Sequence, residues 1–159
     1  MWNKLLCVVL LGLTGSVWAG PNDAVVNHVW VGESIPGQNS ATLELNITTV
    51  LPAMLLSVST EAADRVEIHS VFQSRGKMNA RLVDSLSLPA HHTTAFGSHK
   101  LFLMLVGLKR ELNIDDRIPV SLVIEYANHR KQTIDVEATV KKMALSYKHL
   151  GSEEIYDHR

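Results

Sequence analysis

Cysteine is nearly absent from the chain. The only one, Cys7, lies in the first apolar run without a lipoprotein-type processing context, so it is expected to leave with a cleaved leader and take disulfide and thiolate chemistry with it. A basic excess is missing too, with 15 Lys and Arg against 16 Asp and Glu. The adjacent Lys/Arg pairs are isolated and form no stripe of the kind a phosphate backbone requires, which argues against a nucleic-acid partner. No second long apolar run follows the first. That first run, residues 5–13, is roughly half the ~18 residues needed to cross a bilayer, so no membrane span is expected. Ser57, Ser59 and Ser70 near His69 have neither a G-x-S-x-G elbow nor triad spacing, and no enzyme is expected. Internal repeats, low-complexity tracts and helical periodicity are also lacking.

What the N-terminus does contain is an export layout. Lys4 precedes the apolar run, and Val17-Trp18-Ala19 presents a signal-peptidase site, which predicts a cleavable signal over 1–19 and a mature chain beginning at Gly20. Removal of Lys4 leaves 14 basic against 16 acidic residues, a formal charge of −2 with histidines neutral. The remainder is long enough for one domain with a real core, expected over 20–142, followed by a polar tail over 143–159.

Period-2 alternation runs through that domain. Residues 42–48 alternate polar and apolar; Ile118, Val120, Leu122, Ile124 and Tyr126 share one side of a second run, and Ile134, Val136, Ala138 and Val140 one side of a third. Residues 25–31, 54–59, 65–72, 78–86 and 101–106 are further strand candidates, separated by turn chemistry at Pro36-Gly37, Arg75-Gly76, Pro89-Ala90, Asp115-Asp116 and Asn128-His129. Seven or eight short strands at this spacing predict an all-β sandwich or barrel. The run 101–106 is apolar on both faces and is expected in the middle of a sheet.

Eight histidines and four methionines outside the leader pose the question of copper, because imidazole and thioether suit Cu(I) without cysteine. The order of residues sharpens it. Ala62-Ala63-Asp64-Arg65-Val66-Glu67-Ile68-His69, Gly76-Lys77-Met78-Asn79-Ala80-Arg81-Leu82-Val83, Leu88-Pro89-Ala90 and Leu105-Val106-Gly107-Leu108-Lys109 resemble the PCu(A)C family of periplasmic copper chaperones, and Trp30 with Ile35-Pro36-Gly37 resembles its opening strand. The likeness spans about 25–140 and is ungapped from His69 to Lys109. It implies a cupredoxin-like Greek-key β-sandwich, a periplasmic location, Cu(I) as cargo, and delivery toward the Cu(A) centre of cytochrome oxidase through an oxidase-assembly or other periplasmic partner. A monomer is expected.

Laid on this sequence, the family's His, Met, His and Met ligand positions fall on His69, Ala80, Phe102 and Met104. Alanine and phenylalanine bring no donor, so the resemblance implies a weakened site built on His69 and Met104. Two substitutes are available. Met78 lies on the same strand face as Ala80, about 7 Å away by strand rise, and His99 lies in the turn leading to Phe102. The structural alternative is that Phe102 and Met104 extend the core, the whole chain being then a metal-free relative that binds another protein. His91-His92, with His99 nearby, could trap Zn(II) or Cu(II), although a solvated loop is the commoner role of such a pair. Met143, His149 and His158 are too scattered to count, and folding is expected not to need metal.

Overall fold

The computed structural model describes residues 23–97 and 100–142. The signal at 1–19, the tail at 143–159 and His99 lie outside the described residues. The described strands are β1 Ala24–Gly32, β2 Ser40–Thr49, β3 Ala53–Thr60, β4 Ala63–Ser74, β5 Lys77–Val83, β6 Leu86–Leu88, β7 Thr93–Phe96, β8 Leu101–Leu108, β9 Arg117–Tyr126 and β10 Lys131–Lys141. They form one continuous sheet in the order β5-β4-β8-β2-β1-β10-β9-β3-β6, with β7 added beside β2. Neighbours far apart in sequence, such as β4 with β8 and β9 with β3, are the crossovers of a Greek-key sandwich. All-β is therefore right, while the expected count of seven or eight strands becomes ten.

The sheet turns back on itself at β1. This strand pairs antiparallel with β2, its register slips between Asn27 and Trp30, and it then runs parallel to β10 from Trp30 opposite Thr139 to Gly32 opposite Lys141. Such a bulge adds bend and twist, and His28 takes a positive φ of 53° within it. The two halves of the sheet thereby face each other across one core. Strict alternation fills it: Ala41, Leu43, Leu45 and Ile47 from β2 meet Ile118, Val120, Leu122 and Ile124 from β9, with Leu103 and Leu105 from β8, Leu55 from β3 and Val140 from β10. Each such leucine or isoleucine contributes roughly 1.5–3 kcal/mol by leaving water. No helix among the described residues is long and apolar enough to cross a membrane.

Candidate metal centre

The β4 and β8 strands decide where the predicted ligands go. On β4, Ile68 is buried in the core, so Arg65, Glu67 and His69 project from the opposite face. On β8, Leu103 and Leu105 are wholly buried, which turns Phe102 and Met104 to the same outer face. The core-extending role for Phe102 and Met104 is thus corrected: both are half-buried on the outside of the sandwich, because a period-2 strand cannot send neighbours such as 102 and 103 to one side. β8 itself does run between β4 and β2, as its doubly apolar sequence requires.

Register brings the pair together. His69 stands opposite Phe102 and Glu67 opposite Met104. His69 and Met104 are therefore diagonal neighbours on adjacent strands, a relation of about 7–8 Å between backbones that long side chains bridge. The His69 imidazole lies flat on the Phe102 ring, centroids 4.8 Å apart and planes within 1°. Its Nε2 donates to Glu67 Oε2 at 3.0 Å, and Arg65 Nε donates to Glu67 Oε1 at 2.8 Å. With Nε2–H engaged by a carboxylate, Nδ1 is the ring atom left with a lone pair. The Arg65 guanidinium and then the His69 imidazole hold the Glu67 carboxyl below its ordinary range. The His69 and Glu67 side chains are only 18% and 19% exposed, so this arrangement is largely sheltered.

The other sequence positions fall around this pair. Leu82, 56% exposed, is the β5 partner of His69, and Ala80 pairs with Val71. Met78 pairs with Gln73, four positions further along β4 from His69, or about 13 Å by strand rise, and is 63% exposed. His91 sits in a turn with φ of 56°, its N–H donating to the Thr49 carbonyl at 2.7 Å. Among the described residues no three His, Cys, Asp or Glu side chains gather to hold a metal. Sequence reasoning missed Glu67 and Arg65. Their signal is the alternation itself, which places Arg65, Glu67 and His69 in one file on one face.

The donor set is one imidazole and one thioether, a soft pair suited to Cu(I), backed by a carboxylate that orients the imidazole. Beside it lies a cleft of about 250 Å³ lined by Ser57, Arg65, Glu67, Leu82 and Asp84 among others, open at the junction of β3, β4 and β5.

The model of the LpqE-like family, described as a lipoprotein family, matches residues 24–140. No curated protein matches. Among solved structures, the copper-bound PCuAC domain from PmoF2 is similar with a TM-score of 0.58 and 18% identity, covering 76% of this chain and 93% of that one. Apo-DR1885 from Deinococcus radiodurans is similar with a TM-score of 0.57 and 23% identity, covering 89% and 97%. The Cu(I) form of DR1885 gives 0.56 and 24%, covering 82% and 85%. At these identities the likeness is one of fold, and that fold is the PCuAC β-sandwich expected from the residues.

Proposed function

Because this chain belongs to the LpqE-like family and carries the PCuAC fold, we propose that it is an extracytoplasmic, copper-chaperone-like protein that carries Cu(I) weakly between His69 and Met104. The observation that carries this reading is the β4–β8 register, which sets those two side chains diagonally on one outer face. His69 Nδ1 and Met104 Sδ are the ligands; Glu67 fixes the imidazole and Arg65 fixes Glu67. Copper is the cargo, and a site with two protein donors holds it loosely enough to pass it on. The receiving centre in this reading is the Cu(A) site of cytochrome oxidase, reached directly or through an assembly partner. Met78 and His99 are the reserve donors if loops re-route.

A second reading is favoured by the exposed apolar side chains of Leu82 and Met78 on β5, which suit contact with another protein. In that reading the sandwich is a metal-free interaction module.

The experiment is a Cu(I) titration of residues 20–159 against a competing chelator, following the methyl resonances of labelled methionines. The expected result is weak binding that moves the Met104 methyl and disappears in His69→Ala and in Met104→Ala. Abolition by Met78→Ala or His99→Ala instead would assign the displaced ligand set. An unmoved Met104 methyl at millimolar Cu(I) would leave the interaction module as the function.

A further inference from the structure

On the opposite layer of the sandwich a thioether and an exposed imidazole line one open cleft. On β3, Ala53 and Leu55 are buried and Met54 between them faces out; on β9, Ile124 and Tyr126 are buried and Glu125 faces out. Register sets Met54 opposite Glu125. The β9–β10 turn then places His129 beside them, with its Nδ1 donating to Glu125 Oε1 at 3.1 Å. Met54, Ser87, Glu125, Tyr126, Ala127 and His129 line one cleft of about 340 Å³. This is a different face from that of His69, since it belongs to the β3–β9 half of the sheet rather than the β4–β8 half.

The turn is built at a cost. His129 has a φ of 62°, held by its N–H donating to the Tyr126 carbonyl at 2.8 Å and by the Tyr126 N–H donating to the Arg130 carbonyl at 2.9 Å. Glycine or asparagine fits that left-handed backbone with less strain, and histidine contributes an imidazole in exchange. With Nδ1–H turned to Glu125, Nε2 is the ring atom that keeps a lone pair. A carboxylate behind one imidazole nitrogen is the arrangement that orients a ligating histidine and raises its basicity.

We propose that Met54 Sδ and His129 Nε2 form a second Cu(I) site, with Glu125 as the positioning residue. The thioether selects Cu(I) over Zn(II), because soft sulfur adds little to the binding of a borderline ion that already has nitrogen and oxygen donors available. Two sites on opposite faces make the domain a carrier of two copper ions.

The test uses methyl-labelled methionine in the His69→Ala/Met104→Ala variant, so that the first site is silent, with the Met54 resonance assigned by Met54→Leu. Added Cu(I) is expected to shift the Met54 methyl, and Zn(II) to leave it in place. His129→Gly is expected to weaken the shift at least tenfold while the melting temperature stays equal or rises, since glycine suits the backbone. Glu125→Gln is expected to weaken binding by about 10-fold, the low end for an orienting partner. A Met54 methyl that Cu(I) leaves unmoved overturns the proposal, as does a shift that survives His129→Gly or is reproduced by Zn(II). The Met104 methyl of the unsubstituted protein reports the first site separately, so failure here and failure of the chaperone reading are told apart.

Discussion

Phe102→His is the substitution that most directly probes the β4–β8 face. The Phe102 ring lies parallel to the His69 imidazole with centroids 4.8 Å apart. Two imidazoles sharing one metal at about 2 Å each place their nitrogens at most about 4 Å apart, so a histidine at 102 reaches a shared ion with a small ring rotation. If four ligands share the roughly 10–16 kcal/mol of a structural metal site, one new bond is worth about 3 kcal/mol. Loss of the present ring stack costs about 0.5–1.5 kcal/mol. The difference, about 2 kcal/mol, is a gain in Cu(I) affinity on the order of 30-fold. Competition with a chromophoric Cu(I) chelator measures it, and the circular dichroism spectrum should be unchanged because position 102 faces outward. A folded variant whose affinity rises less than threefold would refute the placement of copper between His69 and Met104.

Acid stability should depend on Glu67. Its carboxyl is held below the ordinary value of 4.5 in the folded state, chiefly by Arg65 and then by His69, so the unfolded chain takes up this proton first as the pH falls. The contribution is complete above about pH 4.5 and lost as the pH drops through the lowered folded value. Glu67→Gln is therefore expected to flatten the fall of the urea midpoint below pH 4.5, and an unaltered acid limb would contradict the ion-pair geometry. Export makes its own prediction: mass spectrometry of secreted material should find an N-terminus at Gly20. An intact Met1, or a lipid on Cys7 as the family's lipoprotein description allows, would show the leader reading to be wrong.

The strands that sequence reasoning located are those whose alternation is strict. β2 and β9 bury every second residue, β10 half-buries or buries every second one, and each is legible from its period alone. The sequence runs β5 on into the start of β6 as one candidate, 78–86, because the break at Asp84-Ser85 carries neither glycine nor proline, yet β5 pairs with β4 and β6 with β3. β7 was missed. It has four residues, Thr93–Phe96, and is fixed by its ladder to β2 and a hydroxyl contact between Thr48 and Thr93 rather than by any apolar pattern. At the candidate site, family spacing singles out the positions of His69 and Met104, whereas it does not give the sidedness of Phe102. In a run apolar on both faces, such as 101–106, hydropathy cannot say which residues look inward. The placement of Met54 opposite Glu125 has no local signal, since only the β3–β9 register joins them.

The parallel seam between β1 and β10 has a consequence for the order in which the chain becomes a protein. Trp30–Gly32 finds its second neighbour only in Thr139–Lys141, so the first of the described strands waits for the last of them. Until that ladder closes, the two halves of the sheet are not joined edge to edge, and Val31 and Val140, both wholly buried in the finished core, have no settled place. Contacts so distant in sequence are slow to form, because the entropy of closing the loop precedes any gain from packing. A chain of this topology stays unfinished until residues 139–141 are available to pair, and up to that point its two half-sheets remain separate and loosely ordered.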